Sequence, residues 1–154
     1  MKPANLWVRA LAAVIDLVLA GSFFFLVVWR FGAPDGTGGK TVTGLAAILL
    51  LLCMAAYWIV LEWLFGATFG KWMCDLSVMK ISGNPINLIQ ALKRNAARVV
   101  DGVFFYLVGF VVAKNNPNAQ RIGDLWAKTM VVRSSDLKAR ARVDPSGSEP
   151  STTP

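Results

Sequence analysis

The chain has 154 residues, of which 55% are hydrophobic and 16% charged, with a formal net charge of +7 and no histidine. Soluble domains run at roughly 45–50% apolar and about 25% charged, so this balance argues against one. The missing histidine excludes imidazole-based proton relays, nucleophile activation and zinc sites. The first element is residues 6–29, "LWVRALAAVIDLVLAGSFFFLVVW", in which residues 10–29 hold one charge in 20. A helix crossing ~30 Å of hydrocarbon needs about 20 apolar residues, so a membrane helix is expected here. A cleaved signal peptide fits less well. Asp16 interrupts the apolar region, and "FFFLVVW" continues past the small-residue site "LAGS".

Residues 30–41, "RFGAPDGTGGKT", read as a short turn-rich loop. Residues 41–61 then give 21 positions without a charge, a second span. Beyond Glu62, "DLSVMKIS" alternates like a strand and "SGNP" signals a turn. Over residues 87–98 the apolar Leu88, Ile89, Leu92, Ala96 and Ala97 share helical spacing, with Lys93, Arg94 and Arg98 elsewhere. That pattern predicts an amphipathic helix at the membrane interface. A third apolar run, residues 99–113, has 15 positions and one charge, Asp101. "KTMVVR" is a second strand-like piece, and the Ser-, Pro- and charge-rich residues 134–154 read as a disordered tail.

The expected fold class is an all-α membrane protein. It is a small polytopic helical bundle with about three membrane segments, near residues 8–29, 42–63 and 88–113, within a domain of residues 1–133. A short cytoplasmic amphipathic helix and a small β-pairing complete it. Lysine and arginine crowd the segments after the second and third runs, whereas the 30–41 loop holds only Arg30 and Lys40. This places the N-terminus and the middle segment in the cytoplasm. The third run spans only ~22 Å as a helix, which leaves two arrangements. Either it crosses at a tilt and puts the C-terminus outside, or it bends near Gly102 or Gly109 and leaves both strand-like pieces in the cytoplasm, where they can pair.

The charges within apolar sequence are the candidate site: Arg9, Asp16, Arg98 and Asp101. Arg9 and Asp16 are seven residues apart and so lie on nearly one helix face, ~10.5 Å apart along the axis. Ala12, Ala13 and Ala20 lie near that face and allow a close helix neighbour. Arg9 is expected to reach the headgroups, whereas Asp16 needs a partner, a proton or water, because a mid-depth carboxylate costs roughly 2.5–3.5 kcal/mol. The simplest pairing is Asp16 with Arg98 or Arg94, and Asp101 with Arg9. Such pairs lock helices together; the other reading makes Asp16 and Asp101 a cation or proton site. Lys71, Lys93, Arg94 and Arg121 are expected at the interface with lipid headgroups.

"GATFGKW", residues 66–72, lacks the spacing and the hydroxyl residue of a phosphate-binding loop. Gly66 and Gly70 are expected to form a tight turn at the membrane surface. The basic residues follow no nucleic-acid-reading motif, no metal or cofactor pattern is present, and nothing supports catalysis. Trp7, Trp29, Trp58, Trp63, Trp72 and Trp126 mostly lie near segment ends, as interfacial anchors do.

Four stretches in order, "VRALAAVIDLVL", "GATFGKWMCDLSVMK", "KRNAARVVD" and "QRIGDLWAKTMVV", resemble the RDD family of small bacterial membrane proteins. Arg9 and Asp16 match the first two signature residues; Asp101 and Asp124 both match the second aspartate. The resemblance implies a multi-pass protein of the bacterial cytoplasmic membrane, with a transport-like role for a small cation or proton. The alternative is a non-transporting accessory or assembly protein. Expected partners are the lipid bilayer and either a second copy or a larger membrane complex, without nucleic acid.

Overall fold

A computed structural model describes residues 2–103, 107–116 and 118–143, and within these the side chains outside 100–110 and 140–143. Helix α1 spans Leu6–Phe31. Asn5 caps it, its side chain accepting from the Trp7 amide at 2.9 Å. Gly32 ends it, because a Cβ there would run into the Val28 carbonyl. The predicted loop is a small hairpin, with β1 (Ala33–Pro34) antiparallel to β2 (Lys40–Thr41). The Asp35 carboxylate closes its turn by accepting from the amide and hydroxyl of Thr37 and the amide of Gly39. Helix α2, Gly44–Phe65, returns to the end where α1 began and stops at Gly66. Gly66 has φ +66°, the left-handed cap that glycine adopts without penalty, and its carbonyl accepts from Val78 at 2.6 Å.

Both helices have a mean hydropathy of 2.5, yet only 17% and 6% of their apolar windows are buried. A core helix of a soluble protein would be covered; these instead expose Phe23, Phe25, Leu26, Leu45, Leu51 and Leu52. They are two candidate membrane spans. Of the expected third span the structure describes two helical pieces, α4 (Leu88–Val103) and α5 (Leu107–Lys114), and residues 104–106 between them lie outside the described ones.

Short elements cap the ends of the two spans: α3 (Phe69–Met73), β3 (Leu76–Lys80), α4, α6 (Ile122–Ala127) and β4 (Thr129–Arg133). The two strand-like pieces pair antiparallel, with Val78 opposite Val131 and Met79 opposite Met130. Strand alternation sends Leu76, Val78 and Val131 into a core with Ala4, Ala12, Ile86 and Ala91. Met79, Met130 and Val132 point the other way and are covered by Leu137.

That cover corrects the reading of residues 134–154 as disordered throughout, since α7 occupies Ser134–Val143. Asp75 anchors its start, its carbonyl accepting from the Ser134 amide and its carboxylate from the amide and hydroxyl of Ser135. The Ala4 amide donates to the Val131 carbonyl at 2.9 Å. The N-terminus, the middle segment and β4 therefore lie at one end of the spans.

Candidate functional site

A single buried stripe on α1 builds the site: Arg9, Ala12, Asp16 and Ala20. Their helical spacing turns one face toward the cap, while Trp7, Leu11 and Val14 remain exposed on the other side. The two charges on the stripe meet different neighbours.

Asp16 pairs with no lysine or arginine among the described residues, so its expected pairing with Arg98 or Arg94 is not formed. Its carboxylate accepts from the Thr68 hydroxyl at 2.5 Å, the Gly70 amide at 2.8 Å and the Tyr57 hydroxyl at 2.9 Å. The small residues explain how α3 comes this close: a Cβ on Gly70 would strike the Ala12 carbonyl and the Asp16 carboxyl. Thr68 is fully buried and Asp16 is 4% exposed. The "GATFG" turn thus presses on α1 and satisfies the carboxylate with oriented neutral donors, which stabilise a carboxylate without a counter-charge.

Arg9 does not reach out to headgroups. It is 6% exposed, donates to Asp124 at 2.6 Å and also donates to the Ala119 carbonyl. Its partner lies 115 positions away in the chain, on α6. Asp124 also accepts from Arg94 and from the Arg121 amide at 3.2 Å, so it caps α6 while binding two guanidinium groups. Burial alone would raise its pKa. Arg94 and Arg9 outweigh that, and the carboxyl is held below the usual carboxylate range. Gly123 lets α6 lie against α4, since a Cβ there would come 3.0 Å from the Arg94 carbonyl and from the Ala97 Cβ.

Glu62, at the end of α2, is the second hub and is fully buried. It accepts from Lys71, from Arg94 Nε at 3.0 Å and from Arg98 Nη2 at 2.9 Å. Arg94 therefore bridges both carboxylates, and its Nη1 also reaches the Thr129 hydroxyl at 2.7 Å. Lys71 and Arg94, expected at lipid headgroups, are instead inside this network. Burial is the main cause that pushes the Lys71 ammonium down to about 8; Glu62 opposes the shift, and Arg98 and Arg94 add to it. Lys93 stands outside, its ammonium 5.8 Å from the Trp126 ring centre. Arg98 similarly lies over Trp58 at 5.7 Å. The Asp101 side chain falls outside the described ones, so its expected pairing with Arg9 cannot be placed; Arg9 itself is held by Asp124.

The expected site thus comes together in part. Arg9, Arg94, Arg98, Lys71 and Asp124 share one network with Glu62, and Asp16 sits beside it on the wall of the same cavity. In the sequence Glu62 stands out only as the charge that ends the second apolar run. An acid at a helix C-terminus is unfavourable against the helix dipole, and that conflict is the signal that it needs buried cations.

No curated protein and no solved structure matches the chain. The RDD family model matches residues 3–128, from before Arg9 to beyond Asp124, and so covers both hubs, the two spans and the cap as far as the end of α6. The chain belongs to the RDD family.

Proposed function

We propose that the protein is a non-transporting accessory or assembly component of the bacterial cytoplasmic membrane, without catalytic activity, whose charges lock a cytoplasmic cap onto two membrane spans. The observation that carries this reading is the saturation of the carboxylates. Asp16 accepts from three neutral donors, Asp124 from two guanidinium groups, and Glu62 from three cations. A transported cation would have to displace these donors and enter a site where positive charge already dominates. The basic cap belongs in the cytoplasm by the distribution of lysine and arginine. The two spans, bare over most of their surface, supply the faces through which a second copy or a larger membrane complex would pack.

The alternative, movement of a small cation or proton, is favoured by one feature: the cavity that Asp16 and Asp124 line. Reconstitution in proteoliposomes under sodium, potassium and proton gradients separates the two. The expected result is no flux above empty vesicles. Flux that the Asp16→Asn variant abolishes, with the protein still folded and inserted, would overturn the accessory role.

A further inference from the structure

Four cations in the network share two carboxylates. Arg9 and Arg94 divide Asp124, while Lys71, Arg94 and Arg98 divide Glu62. The third carboxylate, Asp16, is held by Thr68, Tyr57 and Gly70 and by none of the four. Counting all three carboxylates around the cavity, the four cations exceed them by one positive charge among the described residues. Surplus charge is tolerated at an exposed surface, but the side chains of Arg9, Arg94 and Lys71 are only 5%, 6% and 12% exposed. Buried cations call for a counter-charge.

The network borders a cavity of about 80 Å³, lined by Arg9, Lys71, Arg94 and Arg98. At ~10–15 Å³ per water it holds about five to eight waters, room for one tetrahedral oxyanion. Asp16 and Asp124 also line it, but their oxygens are engaged by the donors named above. Guanidinium groups match the oxygens of a phosphate through paired N–H donors, and an ammonium adds a point charge. The rim is formed where the spans meet the cap. Leu17 on α1 is 58% exposed there, and the Arg98 side chain is 25% exposed. The mouth thus lies between an apolar helix face and a partly exposed arginine, a pairing that suits an anion carried on a lipid or free in water.

We propose that this cavity binds a phosphate-bearing anion, from an anionic lipid headgroup or a free phosphate, with Arg98 and Lys71 as its first contacts. The site stands on the charge balance of the cavity and is independent of whether the protein transports anything. The test measures thermal midpoints of the full chain with three probes: inorganic phosphate in lipid-free detergent, nanodiscs containing phosphatidylglycerol, and nanodiscs of phosphatidylcholine alone, whose phosphate is masked by choline. Arg98→Gln and Lys71→Gln each leave Glu62 two cations and so keep the fold, whereas Lys93→Gln alters only the outer surface.

Stabilisation by phosphate, weakened about tenfold or more in apparent affinity by Arg98→Gln or Lys71→Gln but not by Lys93→Gln, supports the site and assigns it to a free anion. Stabilisation by phosphatidylglycerol alone with the same variant pattern supports it and assigns a lipid. The proposal falls if neither probe stabilises the protein beyond phosphatidylcholine, or if Lys93→Gln weakens binding as much as Arg98→Gln.

Discussion

Replacing Glu62 with Gln removes the one charge that three buried cations share. Lys71, Arg94 and Arg98 would then face each other across a neutral amide that can accept on one side only. Breaking a buried pair by deleting one partner costs about 3–5 kcal/mol, mostly from the charge left behind. For a chain of this length, each kcal/mol lowers the midpoint by roughly 2–4 °C, so Glu62→Gln should lose about 6–20 °C. Lys71→Gln provides the contrast. It removes a surplus cation, leaves Glu62 with Arg94 and Arg98, and relieves the burial that holds Lys71 down to about 8. Its midpoint should stay within about 3 °C of the parent, given that shift per kcal/mol and a cost near 1 kcal/mol for one lost charged contact. Tryptophan fluorescence on heating, with size exclusion to confirm a monodisperse sample, reads both variants. Equal losses in the two, or a Glu62→Gln midpoint close to the parent, would refute the picture of an over-cationic network centred on that carboxylate.

The remaining predictions follow from the same contacts. Asp16→Asn keeps one acceptor oxygen for Gly70 and Tyr57 and can donate to the Thr68 hydroxyl, so it should cost only about 1–2 kcal/mol; Asp16→Ala, losing all three bonds, should cost about 3–5 kcal/mol by denaturation in detergent. Gly70→Ala should fail to form the α1–α3 contact and become sensitive to protease near residue 70, because the obstruction is the backbone carbonyl of Ala12. Lys71 has a folded pKa below its unfolded one, so between about 8 and 10.5 the unfolded chain binds more protons and stability rises with pH. That rise should be present in the parent and reduced in Lys71→Gln when midpoints are compared from pH 7.5 to 9.5. Asp124 acts in the opposite range: its depressed pKa makes its contribution complete above the usual aspartate value near 3.9 and lost as acid protonates it. In a cysteine-free background, thiol labels at residues 37 and 138 should react from opposite sides of the membrane; labelling from the same side would refute the shared end of N-terminus, sheet and α7.

The spans, strands and amphipathic helix were legible because each is a local pattern. The charge-free 41–61 run, the alternation in "DLSVMKIS" and the spacing from Leu88 to Ala97 need only neighbours in sequence. The face shared by Arg9 and Asp16 was legible for the same reason and is buried as the turn count requires. Their partners were not legible. Asp16 meets Thr68 and Gly70 across 52 and 54 positions, and Arg9 meets Asp124 across 115. A nearby residue of opposite sign, such as Arg94 or Arg98, is the natural guess from charge alone. It fails because α3 packs on α1 at Asp16 and supplies the donors there. The α7 helix was hidden by composition: Ser134, Ser135 and Asp136 look like linker residues, yet serine and aspartate are also helix starters, and Leu137 supplies the apolar contact.

The two charges on α1 do different jobs, and the difference bears on what the protein can do. Asp16 is bound by an amide and two hydroxyls, so it carries its negative charge without any cation and fixes α3 against the first span. Arg9 is bound by a carboxylate on α6 and so ties the first span to the last elements of the cap. Between them, the start of α1 is clasped by residues from both sequence-distant parts of the cap, and α2 is clasped at its end through Glu62. The spans are thereby held at one end while their apolar faces stay bare. A bare apolar helix face in hydrocarbon has lipid, not water, as its neighbour, so the two spans suit packing against a partner better than lining a water path. The surplus positive charge at their held end favours an anion as the occupant of the cavity, and leaves the spans as the surface for a partner.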